Sequence, residues 1–265
     1  MKPGLIVNAA AGRMGKRMLA LAFEDGTFSI VAAVEYPEHP DLGKDAGLLA
    51  GIESLNVPLS GDRPTTADVM IDFSLPQAAA DSIRHCSDNN IALVMGTTGL
   101  SEEHFEMLRQ AAKKIAIVQA TNMSLGMNLL FALVGKVAAS LGSDYDIEIV
   151  EAHHRFKKDA PSGSALSLAE AICKETGRSY PGDLVHGREG KDAQRTPGQI
   201  GMHAVRAGDI IGQHSVLYST LGETVTIGHN AHTRDTFARG AVHAARWVIK
   251  QKPGLYTMKD VLGLE

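Results

Sequence analysis

Leu5-Ile6-Val7-Asn8-Ala9-Ala10-Ala11-Gly12-Arg13-Met14-Gly15 is the stretch whose reading decides the fold. Leu5–Asn8 has the apolar, partly β-branched character of a buried strand, and Arg13–Phe23 carries apolar residues at helical spacing. Small residues fill the turn between them. A helix opened by such a turn presents unpaired backbone N–H groups and the positive end of its dipole to an anion. A second strand, Ser29–Val34, ends at Glu35, where an acidic side chain can accept hydrogen bonds from ribose hydroxyls. Strand, turn, helix, strand and acid in this register predict a dinucleotide-binding unit. The same residues also fit a packing turn that merely needs small side chains.

Working outward, Val69–Phe73, Ala92–Met95 and Ala116–Val118 read as further strands, separated by helices at Pro76–Asn89 and Ser101–Lys113. Pro76 suits the first turn of its helix, and Ser101 can cap the next, with Glu102 and Glu103 complementing the dipole. Alternating strands and helices imply a Rossmann-like α/β domain with a parallel sheet. Tyr36–Arg63, rich in Gly, Asp and Pro, is expected to be one long loop.

The pattern then changes. Ser124–Leu141 reads as a long apolar helix, Tyr145–Ala152 as a strand and Gly163–Thr176 as a helix. After a Gly/Arg/Asp-rich stretch at 177–199 come three β-like runs without intervening helices, Gly201–Arg206, Ser215–Ser219 and Glu223–His229. These predict a second, α+β domain whose sheet is mixed and mainly antiparallel. Arg234–Ile249 returns to helix, and Lys252–Glu265 is expected to be a docked tail. The expected division is 1–122 with 233–265 for the first domain and 123–232 for the second.

Composition sets the limits. Of 265 residues, 44% are hydrophobic and 21% charged, ordinary values for a globular chain. A net charge of -4 gives no general attraction to nucleic acid or to anionic membranes. No run approaches ~18 apolar residues, the length a membrane span needs, and Leu5-Ile6-Val7 is too short for a signal-peptide core. Only Cys86 and Cys173 are present, without a metal-ligand pattern. A reducing, cytoplasmic setting is the expectation.

Against that acidic balance, Glu151-Ala152-His153-His154-Arg155-Phe156-Lys157-Lys158-Asp159-Ala160-Pro161-Ser162-Gly163-Ser164-Ala165 gathers five cationic or protonatable groups, His153, His154, Arg155, Lys157 and Lys158. A turn that can open a helix follows directly. Histidine, lysine and a helix N-terminus together suit a small acidic substrate that must be protonated. Metal binding is not expected, because His153 and His154 are adjacent on a strand and point to opposite faces.

The order of these residues resembles the signature of the 4-hydroxy-tetrahydrodipicolinate reductase (dihydrodipicolinate reductase) family, roughly Glu-x-His-His-x-x-Lys-x-Asp-Ala-Pro-Ser-Gly-Thr-Ala, with Ser164 for the usual threonine. The hydroxyl is kept. The resemblance spans nearly the whole chain, and it implies NADH- or NADPH-dependent reduction of 4-hydroxy-tetrahydrodipicolinate to tetrahydrodipicolinate with loss of water, in lysine and diaminopimelate biosynthesis. It implies His153 as general acid/base and Lys157 as second proton donor; the two share a face if their turn is helical. His154, Gly163 and Ser164 are expected to hold the two carboxylates of a small dicarboxylate substrate. Asp159 is expected to orient a cation or cap the turn, and Arg155 and Lys158 to be surface charges.

For the cofactor, the family pattern Gly-x-x-Gly-Arg-Met-Gly falls on Ala9, Ala10, Ala11, Gly12, Arg13, Met14 and Gly15, its first glycine replaced by Ala9. Alanine holds such a turn without strain when φ is negative. Glu35, Gly96-Thr97-Thr98-Gly99 and Ala120-Thr121-Asn122-Met123 match the remaining cofactor positions. Tyr36 stands where the family often has an arginine for the 2′-phosphate, which points to NADH, with Lys16 or Arg17 as routes to NADPH. Arg206 and Asp209 are expected to form a structural pair, and His203, His214, His229 and His232 to be ordinary residues. The family implies a homotetramer joined through the second-domain sheets. Two other readings fit parts of the chain. A reductase of another imine or carbonyl acid would share the first domain, and a nucleotide sensor without catalysis would tolerate Ala9 but has no need of His153 and Lys157.

Overall fold

A computed structural model describes residues 1–264. The chain divides into two compact units, Met1–Leu125 with Asp235–Leu264, and Gly126–Arg234. In order, the elements are β1 (Gly4–Asn8), α1 (Arg13–Asp25), β2 (Ser29–Val34), α2 (Ala46–Ala50), β3 (Leu59–Ser60), β4 (Val69–Asp72), α3 (Pro76–Asn89), β5 (Ala92–Met95), α4 (Glu102–Ala111) and β6 (Ala116–Gln119). There follow α5 (Leu125–Leu141), β7 (Asp146–His153), α6 (Gly163–Thr176), β8 (Leu184–His186), β9 (Ile200–Arg206), β10 (Gly212–Thr220), β11 (Glu223–Ala231), α7 (Asp235–Val248), β12 (Gly254–Tyr256) and α8 (Met258–Leu262).

The first unit holds a seven-stranded sheet in the order β12-β6-β5-β4-β1-β2-β3, with every pairing parallel. A parallel sheet is covered on both faces, and here the central strands divide their residues between two cores. Leu5, Val7, Ile71, Val94 and Val118 pack with α1 and α7, while Ile6, Met70, Leu93 and Ile117 pack with α3 and α4. Local chemistry places the helices: Pro76 opens α3, and Ser101 forms a capping box with His104 on α4. The expected loop 36–63 contains α2, capped by Asp45, and the edge strand β3. The expected tail contributes β12, which extends the sheet beyond β6, and α8; its last residue, Glu265, lies outside the described residues. Two- and three-residue strands are too short to leave a period in sequence, and only pairing with a neighbour defines them.

The second unit has a five-stranded sheet in the order β11-β10-β7-β9-β8. It is mixed: β10 runs antiparallel to β11 and β7, whereas β9 runs parallel to β7 and β8. The parallel pair follows from the long connection through α6, because a short hairpin cannot join parallel strands. One face carries the core, where Ile147, Ile149, Ile200, Met202, Val216 and Tyr218 pack against α5 and α6. Tyr218 is fully buried and donates from Oη to the Val134 carbonyl at 2.7 Å. No helix among the described residues is long and apolar enough to cross a membrane.

Candidate active site

The catalytic candidates are set by strand register. Alternation sends Ile147 and Ile149 of β7 into the core, and two residues further the same face reaches Glu151 and His153. On β9 the face that holds Ile200 and Met202 reaches Arg206, paired in register with His153. On β10 the face of Tyr218 and Val216 reaches His214, paired with Glu151. Three strands therefore change from apolar to polar on one face at one end of the sheet. The N-terminus of α6 closes this end, with Ser162 as its cap accepting from Ala165 N at 3.2 Å.

Glu151 is the hub. Its side chain is 1% exposed, and its carboxylate takes four contacts. Arg206 donates from Nη1 to Oε2 at 2.8 Å and from Nη2 to Oε1 at 2.7 Å. Ser162 N donates to Oε1 at 3.0 Å, and His153 Nδ1 lies 2.6 Å from Oε2. Burial works to raise this carboxyl, but Arg206, His153 and the Ser162 N–H outweigh it and hold it below its ordinary value. Because a carboxylate oxygen only accepts, the His153 hydrogen sits on Nδ1, leaving Nε2 to exchange a proton. Burial lowers the His153 pKa, with Lys157 and Arg206 adding to the effect and Glu151 opposing it. Arg206 is correspondingly raised by its bond to Glu151.

His214 stands edge-on to His153, with ring centroids 5.2 Å apart, and its Nε2 lies 2.9 Å from Ser162 Oγ. It is buried and belongs to the site, in place of the ordinary role expected from sequence. Burial pushes it down to about 4, with the nearby His153 adding to the shift. Arg206 pairs with Glu151, not with Asp209. The turn after β7 is a single four-residue turn, His154 O accepting from Lys157 N at 3.1 Å, rather than helix. Lys157 Nζ reaches Asp159 at 2.9 Å. His154 Nδ1 is a buried polar atom with no protein partner among the described residues. A Cβ on Gly163, at the first turn of α6, would meet nothing within 4 Å, so its backbone is open to approach. Arg155 and Lys158 are exposed.

In the first unit a cavity of about 290 Å³ opens at the carboxyl ends of β4, β5 and β6. Met14, Gly96, Thr97, Thr98, Thr121, Asn122 and Met123 line it, joined by Phe73, Ser74 and Phe237, which the sequence reading did not assign. Asp72, fully buried, links two of these loops, its Oδ1 accepting from Ser74 N at 2.7 Å and from Thr97 Oγ1 at 3.5 Å. Ala120 follows β6 without lining the cavity. The turn Ala9–Gly12 is closed by Gly12 N donating to Ala9 O at 3.1 Å, and Ala11 N donates to Glu35 Oε2 at 3.1 Å. Ala9 has φ of 55°, in the left-handed region, so the negative φ under which alanine holds such a turn without strain is not met. The tight turn that lets α1 follow β1 imposes it. No side chain caps α1 at Gly12, Arg13 is exposed, and the helix opens with bare backbone N–H groups. An uncapped helix start, an acid at the end of β2 and a cavity at the sheet's carboxyl edge fit a dinucleotide. Arg17 is held by Asp235 in a bidentate pair, 2.7 Å at each contact, which commits its charge.

The parallel nucleotide-type sheet and the buried acid–histidine pair on a mixed sheet define a two-unit oxidoreductase. Family models for dihydrodipicolinate reductase match residues 4–123 (N-terminus) and 126–262 (C-terminus). The chain belongs to the dihydrodipicolinate reductase family. It is 44% identical over 263 residues to the 4-hydroxy-tetrahydrodipicolinate reductase of Geotalea uraniireducens, covering 98% of both chains. It is also 44% identical over 262 residues to that of Magnetococcus marinus, again at 98% of each. The fold is shared with the dipicolinate-bound dihydrodipicolinate reductase from Paenisporosarcina sp. TG-14, at a TM-score of 0.75 and 22% identity over 97% of this chain and 98% of that one. A more distant likeness of fold is to GenD2 from gentamicin A biosynthesis, in complex with NAD, at a TM-score of 0.58 and 12% identity, covering 99% and 91% of the two chains.

Proposed function

We propose that this chain catalyses the NAD(P)H-dependent reduction of 4-hydroxy-tetrahydrodipicolinate to tetrahydrodipicolinate with loss of water, in lysine and diaminopimelate biosynthesis. The observation that carries the reading is the Glu151–His153 pair at the end of β7, beside the N-terminus of α6 and the Lys157 turn. A bound nicotinamide supplies the hydride. The protein supplies binding, orientation and protons. His153 gives its proton from Nε2, with Glu151 stabilising the imidazolium it must first become. Lys157, oriented by Asp159, serves as the second donor. His154, the Gly163 N–H and the Ser164 hydroxyl hold the two carboxylates, and a dianion there raises the pKa of His153. Burial, with Lys157 and Arg206 adding to it, keeps His153 low, so substrate charge is what arms it.

Residues of the Ala9–Met14 turn receive the pyrophosphate, Glu35 the ribose hydroxyls, and Gly96–Thr98 with Ala120–Met123 the nicotinamide end. NADH is the favoured cofactor: Glu35 repels a 2′-phosphate, Tyr36 cannot pair with one, and Arg17 is committed to Asp235. The working enzyme is a homotetramer of the cytoplasm. The outer face of the second sheet, with Val205 exposed, supports the assembly, and two unpaired buried cysteines suit a reducing compartment.

Turnover is tested by following NADH and NADPH oxidation with freshly generated hydroxy-tetrahydrodipicolinate in wild type, His153→Ala and Lys157→Ala. Activity that falls by about 10²-fold or more in both variants while NADH still binds supports the reading. A wild type that binds cofactor without turnover overturns it, and a higher kcat/KM with NADPH overturns the preference.

A further inference from the structure

We propose that Glu151 is a positioning residue for the proton donor: it fixes His153 with Nδ1 protonated and Nε2 presented, and Arg206 sets how strongly its charge is felt. The inference rests on the assignment of His153 above, but its structural part stands on geometry alone. Glu151 faces His153 at 2.6 Å from a nearly inaccessible position, so no water competes for the carboxylate. Its other contacts, two from Arg206 and one from Ser162 N, leave the carboxylate one orientation, since rotation would break a charged pair. Gly212 completes the arrangement: a Cβ there would lie 3.2 Å from His153 Nε2, so glycine keeps that nitrogen approachable.

The groups that face His153 come from every strand around it. Glu151 is on its own strand, Arg206 on β9 and His214 on β10; Lys157, bound to Asp159, follows in the next turn. Among the described residues, Glu151 carries the only negative charge that contacts the ring, and it favours the imidazolium, while Lys157 and Arg206 oppose it. Removing Glu151's charge and removing Arg206's charge must therefore move His153 in opposite directions. Glu151→Gln keeps size and an acceptor oxygen but loses the charge, and shifts the His153 titration down by about one pH unit, a tenfold change in protonation. Arg206→Gln leaves Glu151 unneutralised and shifts the titration up.

The measurement is a pH titration of ¹⁵N-histidine-labelled protein, followed through the His153 ring nitrogens assigned with His153→Asn. The pH profile of kcat/KM is taken alongside. Opposite displacements in the two variants, with matching movement of the activity profile, support the proposal. Displacements of one sign, or an unmoved titration with only a lower kcat and melting temperature, overturn it. Should Glu151→Gln not fold, Glu151→Gln/Arg206→Met removes both charges. The proposal then requires its His153 to titrate below that of Arg206→Gln, and equality overturns it. The ring nitrogens titrate whether or not the chain turns substrate over, so inactivity would sink the function while leaving this inference to stand or fall alone.

Discussion

Ala9 carries the clearest residue-level tension in the molecule. Its φ of 55° places a Cβ where L-residues other than glycine meet their own backbone, at a cost of about 1–2 kcal/mol. The turn it serves also brings Gly15 against it: a Cβ on Gly15 would lie 2.1 Å from Ala9 O. Ala9→Gly is expected to stabilise the protein by about 1 kcal/mol, read as a higher midpoint in urea, and to tighten NADH binding. An unchanged or lower midpoint would show that the turn carries no strain. At the same scale, most of the candidate site was legible. The motif from Glu151 to Ala165 named His153 and Lys157, whereas Arg206 and His214 are 55 and 63 residues from Glu151 in sequence, and their meeting with it is not written in any local pattern.

At the scale of elements, close backbone approach decides more than propensity does. α1 can follow β1 only because Gly15 has no side chain; its neighbours there are the Ala9 carbonyl and Ala10 backbone, which cannot rotate away. Gly15→Ala is expected to cost about 1–3 kcal/mol and to abolish cofactor binding, measurable by denaturant unfolding and NADH fluorescence. A variant that binds NADH normally would contradict the turn's role. Strands and helices with strong patterns were readable: β1, β2, β4, β5 and β6 follow from apolar runs, and α3 and α4 from their start signals. β3, β8 and β12 were not, because two or three residues acquire strand identity only from a partner across the sheet.

The molecule as a whole responds to acid through its buried site. His214 has an ordinary value of 6.5, pushed down to about 4 chiefly by burial. The unfolded chain therefore takes up a proton that the folded one refuses. The stability His214 contributes is complete above pH 6.5 and lost as pH falls through 4. Glu151, held below its ordinary 4.5, adds a further loss below that value, in the same direction. Unfolding midpoints in urea should fall between pH 6.5 and 4, and His214→Gln should flatten that interval. An equally steep fall in the variant would remove His214 from the account.

By itself the sequence determined the parallel α/β unit, the α+β unit and the residues of the central motif. Each of these is written in short-range periods, caps and spacings that survive without tertiary context. Only the tertiary structure decided how the motif works. The register of β7 against β9 and β10 brings Arg206 and His214 to Glu151, and that juxtaposition depends on pairings across more than fifty residues of chain. The sign of φ at Ala9 and the commitment of Arg17 to Asp235 are of the same kind. Local pattern records which side chains face inward, but which of them meet depends on how distant strands and helices align.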